Sequence, residues 1–144
     1  MCGSVSAPTL AAVEQEEAEM PKVSKESAAQ VEDHGPVEDR HEDIDGYTVN
    51  FLTFRVDIDG APLLKGLPDD RCPCPHWGYV FKGRVIFTFD DHEEVHEAGD
   101  AFYIPGGHLQ RAEAGTEYLQ FSPAEELRTV DETMMRNMRQ MQEA

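Results

Sequence analysis

Basic side chains are scarce in this chain of 144 residues: 12 Lys and Arg face 29 Asp and Glu, for a formal net charge of −17. Without a basic patch to release counterions, nucleic acid is excluded as an expected partner. Anionic membrane surfaces are disfavoured for the same reason. Cysteine is scarcer still. Cys2, Cys72 and Cys74 make an odd count, so reduced thiols that bind metal, react or pack are expected rather than a disulfide framework. No apolar run approaches the roughly 20 residues that span a bilayer. The N-terminus also lacks the charged and apolar regions of a signal peptide, and a cytoplasmic location is expected. The first 45 residues contain no aromatic side chain.

What is present divides the chain unevenly. The length suits one domain with one modest core. Residues 1–45 are rich in Ala, Glu, Val, Ser and Pro and end in an acidic run. Low hydrophobicity with high charge predicts a disordered acidic arm there, with at most a helical turn over 11–20. Residues 46–122 are dense in β-branched and aromatic side chains, with strands expected over 47–57, 84–89, 93–97, 101–104, 108–113 and 116–121. Short strands at close spacing indicate an all-β sandwich or barrel. Residues 123–144 form the last segment. Ser122, Pro123 and Glu125 resemble an N-cap, a first-turn proline and a capping box. Apolar Leu127, Val130, Met134, Met138 and Met141 then fall on one face of an amphipathic helix.

Candidate chemistry gathers at residues 72–76, where Pro73 and Pro75 alternate with Cys72, Cys74 and His76. Each proline biases its predecessor toward extended backbone, and residues two apart in a strand share a face. The two thiols and the imidazole are therefore expected in a row. His108 follows the Pro105-Gly106-Gly107 turn and is the natural additional ligand. Soft sulfur with imidazole favours zinc or iron over calcium or magnesium. Gln110, Tyr103 and Trp77 are expected to line a pocket beside this row. Packing is the competing reading for the cysteines, with His76 as a hydrogen-bonded rim residue. No nucleophile elbow, P-loop or dinucleotide fingerprint is present.

Two stretches carry a family resemblance. Tyr79-Val80-Phe81-Lys82-Gly83 resembles the close of the first cupin motif, and Gly99 to Gly107 fits the Gly-x5-Pro-x-Gly of the second. The resemblance covers roughly half of the chain, from Cys72 to Phe121, and implies a single small jelly-roll-like β-barrel. It also implies where a metal would sit. Two His, one Glu and a third His hold the ion in the family. Those positions fall here near Asp70, at Cys72, at His76 and at Gln110, with His108 two residues before the last.

Two readings stay open at this stage. One is a small metal-binding cupin acting on a small organic molecule, of oxygenase or isomerase type, with Cys72, Cys74, His76 and His108 around the ion. The other is a metal-free, non-catalytic ligand-binding or structural cupin. A thiol redox sensor on Cys72 and Cys74 is a weaker third, because i,i+2 cysteines in extended chain sit near the bridging limit. A homodimer is expected in each case.

Overall fold

The computed structural model describes residues 22–143. Cys2 and the turn expected over residues 11–20 lie outside them. In chain order the strands are β1 (Gln30–Asp33), β2 (Val37–Ile44), β3 (Tyr47–Phe54), β4 (Ile58–Asp59) and β5 (His76–Lys82). They continue as β6 (Arg84–Thr88), β7 (Glu93–Glu97), β8 (Ala101–Ile104), β9 (Leu109–Ala112) and β10 (Glu117–Pro123), followed by helix α1 (Ala124–Glu143). Hydrogen bonding assembles a six-stranded sheet in the order β1-β2-β3-β10-β5-β8 and a four-stranded sheet in the order β4-β9-β6-β7. Among the described residues the β architecture is two antiparallel sheets.

The alternation of these strands builds the core. Phe54, Val80 and Tyr118 from the larger sheet meet Val85, Phe87 and Ala112 from the smaller one, with Phe102 and Ile104 beside them. A second cluster sits under the helix, where Leu64, Leu67, Cys72 and Cys74 pack on Leu127 and Val130. Burying each such apolar side chain is worth roughly 1.5–3 kcal/mol. The tight β5–β6 corner needs Gly83, which has φ +77°, and a Cβ there would overlap Thr116. Among the described residues, no helix is long and apolar enough to cross a membrane.

Residues 30–44 correct the expectation of a disordered arm. They form β1 and β2, and β2 pairs with β3 over its full length from Val37↔Phe54 to Ile44↔Tyr47. Asp45 (φ 50°) and Gly46 (φ 82°) are the two-residue loop of that hairpin, the backbone that Asp-Gly favours. The boundary drawn at residue 46 thus falls inside a hairpin. Charged residues are tolerated because β2 alternates: Asp39, His41 and Asp43 lie opposite Leu52, Asn50 and Thr48, while Glu38, Arg40 and Glu42 take the other face.

Ser122 and Pro123 also behave differently from a helix cap. Both belong to β10, paired with Thr48 and Tyr47, and the helix begins at Ala124 with its N–H donated to the Gly46 carbonyl. The face carrying Leu127, Val130 and Thr133 is buried, while Met141 is exposed. Asn137 Nδ2 donates to the carbonyls of Leu63 and Lys65 (2.8 and 2.9 Å), fixing the helix over the loop that leads to Cys72.

Candidate metal centre

Residues 73–75 belong to no strand, and the pleat starts only at His76. Cys72 is held by an isolated antiparallel bridge to His108. Its N–H donates to the His108 carbonyl (3.0 Å), and the Gly107 N–H donates to the Cys72 carbonyl (2.7 Å). A Cβ on Gly106 would overlap the Pro73 carbonyl oxygen. Only glycine therefore lets the Pro105–Gly107 turn settle onto the Cys-Pro segment, and this seating delivers His108 to the interior.

Cys72 Sγ and one ring nitrogen each of His76 and His108 lie within 4.8 Å of one another. The three residues are 5%, 4% and 1% exposed. His76 Nε2 stands 3.7 Å from Cys72 Sγ. His76 Nδ1 is 2.7 Å from Ser122 Oγ, and His108 Nδ1 is 2.9 Å from the Pro105 carbonyl. A carbonyl only accepts, so His108 carries its proton on Nδ1 and turns the lone pair of Nε2 inward. The Ser122 hydroxyl can hold His76 in the same tautomer. This is the arrangement by which a partner on one ring nitrogen aims the other at a metal.

The electrostatics agree with that chemistry. Burial, with His108 adding to it, pushes the His76 pKa down to about 3, and burial also lowers His108. Both imidazoles are neutral at pH 7, which is the ligating form. Burial pushes the Cys72 thiol up to about 11 and Cys74 up to about 12. The donor set fits a transition ion. Zn–S near 2.3 Å and Zn–N near 2.0–2.1 Å place tetrahedral S and N donors about 3.5 Å apart, close to the 3.7 Å between Cys72 and His76.

Not every residue read as part of the site belongs to this convergence. The Cys74 side chain is fully buried, but its Sγ lies 3.5 Å from the Pro75 carbonyl, and it packs in the cluster under the helix. The period-two row fails because residues 73–75 are not a pleated strand. Trp77 and Tyr103 point away. His76 faces inward on β5, so Trp77 must face outward, and Tyr103 is its cross-strand partner. Their rings are 5.0 Å apart on the outer surface, where both are exposed, so neither lines the interior. Gln110 does turn toward the interior, where its Nε2 donates to the Tyr118 hydroxyl.

Several polar residues had no local signal in the sequence. Ser122, fully buried, is one. A second cluster lies on the inward side of β1 and β2, where ligand atoms of Glu32, Asp39 and His41 fall within 4.8 Å of one another. Asn50 Nδ2 donates to Asp39 Oδ1 (2.9 Å). His41 Nδ1 is 3.4 Å from the same oxygen but too poorly aligned for a hydrogen bond, and both it and Asn50 Oδ1 are buried without a partner. Asp39 raises the His41 pKa. Asp131 of α1 reaches solvent at its edge, yet loss of hydration and the nearby Asp39 carboxylate push it up to about 7. A concavity of about 180 Å³ lies elsewhere, bordered by Lys25, Phe51, Phe81 and Glu117.

No family model matches the chain, and no curated protein matches it. Solved structures do. A protein of unknown function from Rhizobium leguminosarum bv. viciae 3841 is similar over 72% of this chain and 95% of its own, at 15% identity and a TM-score of 0.53. The polyketide cyclase RemF from Streptomyces resistomycificus is similar over 72% of this chain and 79% of its own, at 14% identity and a TM-score of 0.50. An RmlC-like cupin from Shewanella frigidimarina NCIMB 400 is similar over 70% and 88%, at 18% identity and a TM-score of 0.48. At such identities the likeness is one of fold alone.

Proposed function

We propose that the chain is a cupin that holds one transition-metal ion, zinc or iron, on Cys72, His76 and His108, and binds or acts on a small organic molecule at that ion. The observation that carries the reading is the orientation of the two imidazoles. Each has its Nδ1 engaged by a neighbour, which leaves Nε2 to converge with a buried thiol. Three protein ligands leave a tetrahedral ion one open position, where a bound metal would polarise a small molecule or a water. The chain's own part is to keep two neutral imidazoles aimed inward. Ser122 and the Pro105 carbonyl hold them, and the apolar cluster around Cys72 keeps solvent from the thiol.

Protein purified without chelators or an affinity metal column should retain close to one equivalent of zinc or iron. The double variant C72A/H76A should retain none while keeping the wild-type circular dichroism spectrum. Less than about a tenth of an equivalent of any transition metal in the wild type would remove the reading. A metal-free cupin is the second reading. The burial of Cys72 and Cys74 in the apolar cluster under the helix favours it, and the same inventory decides between the two.

We also propose that the outer face of the larger sheet pairs with a second copy of the chain. Tyr47, Trp77, Tyr79, Phe81 and Tyr103 stand there, each between 40% and 52% exposed. The neighbouring carboxylate on that face, Glu117, is already held by Lys25 (3.4 Å) and Lys82 (3.3 Å). In a chain of net charge −17, self-association is least opposed where unpaired carboxylates are missing.

A further inference from the structure

The second cluster is built almost entirely of acceptors. Glu32 sits opposite Asp39 in the β1–β2 ladder, and His41 sits opposite Asn50 in the β2–β3 ladder, so the four side chains share one side of the sheet. Among the described residues, no Lys or Arg forms an ion pair with Asp39 or Glu32. Asp39 meets only His41 at 3.4 Å, and Glu32 only His34 at 3.7 Å. Behind them Asn50 is 5% exposed. Its amide nitrogen is spent on Asp39 (2.9 Å), and its Oδ1 is buried with nothing to accept. Turning the amide over would set that oxygen against the Asp39 side-chain oxygen, so the hydrogen bond assigns the amide's orientation. A buried acceptor left without a donor is costly, so the Asn50 Oδ1 calls for an ion or a water.

We propose that Glu32, Asp39 and His41, with the Asn50 amide oxygen behind them, bind a divalent cation at a site separate from the Cys72–His76–His108 centre. Two carboxylates, one imidazole and a neutral amide oxygen form a mixed oxygen and nitrogen set, which suits Mn2+ better than a soft thiophilic ion. A water can satisfy Asn50, but it cannot offset the carboxylates. The site rests on different residues from the metal centre, so the two can be tested apart.

The full-length protein, stripped with a chelator and dialysed, is titrated with Mn2+ while electron paramagnetic resonance reads the free ion. The wild type should bind one Mn2+ that survives in the C72A/H76A variant. E32Q and D39N should each weaken that binding by about tenfold or more. Glu32 lies on an exposed edge strand, so E32Q reports even if D39N perturbs folding. No uptake at millimolar Mn2+, uptake unchanged by E32Q and D39N, or uptake lost with C72A/H76A would each overturn the site.

Discussion

Ser122 is the residue on which the proposed metal centre turns. Its hydroxyl is the polar neighbour of His76 Nδ1, at 2.7 Å in a fully buried setting. S122A should destabilise the fold by roughly 1–3 kcal/mol, because it leaves a buried ring nitrogen unpaired. It should also weaken metal binding by about 10–100-fold, since the ring loses its orientation. Competition against a chelator of known affinity measures the second effect, and urea unfolding the first. If affinity is unchanged, Ser122 does not position the ligand. His76 sets a pH dependence as well. Its pKa falls from an unfolded value near 6.5 to about 3 in the fold. Unfolding therefore takes up a proton between those limits. Stability of the metal-free protein should be intact above about pH 6.5 and should decline as the pH falls toward 3. Urea midpoints across this window test it, and H76N should flatten the slope.

The element scale shows what the sequence made legible. The strands expected over 93–97 and 101–104 are β7 and β8 residue for residue, because turn residues bound each of them. β1 and β2 were hidden for a physical reason. Their apolar content is low, and β2 owes its place to a full-length ladder with β3 rather than to burial of its own side chains. The Asp45-Gly46 pair was visible and marks that hairpin, but a strand of Glu, Asp, Arg and His gives it no apolar flank. The same limit governed the site. Cys72, His76 and His108 were legible as candidate ligands from their types, and the structure brings them together. Cys74 was placed by a two-residue period, which holds along β5 and fails across the prolines, and Trp77 and Tyr103 were read as pocket residues beside that row although they stand on the outer face. Ser122, Asp39 and Asn50 could not be found from spacing, because their neighbours are distant in sequence. Helix α1 belongs to this scale too. L127A should cost about 2–5 kcal/mol, since Leu127 fills the cluster beside Cys72. M141A, at an exposed position, should cost almost nothing. Chemical denaturation separates the pair, and equal costs would mean that the helix packs elsewhere in solution.

At the scale of the whole molecule, the larger sheet divides its two faces between distinct tasks. The inner face holds the imidazoles and the core, and the outer face carries the aromatic row proposed to join two copies. Sedimentation of the wild type should give a dimer. Tyr103→Glu, which sets a carboxylate beside Trp77, should shift it to monomer without loss of bound metal. A wild-type monomer at high concentration would remove the pairing.

The edge strand β1 bears on how such an assembly would end. Its four residues, Gln30 to Asp33, are all exposed, and among the described residues no strand pairs with its outer side. An open flank is a template for the next strand, and repeated addition there leads to fibres. Arg55 already holds Asp33 at 2.8 Å, so Glu32 is the carboxylate that two such flanks would bring together, and its charge opposes growth along the sheet. Face-to-face pairing consumes its own surface and closes after one partner. The acidic strand that composition alone consigns to a loose arm thus acts as a stop, keeping a protein with an exposed aromatic face countable in solution.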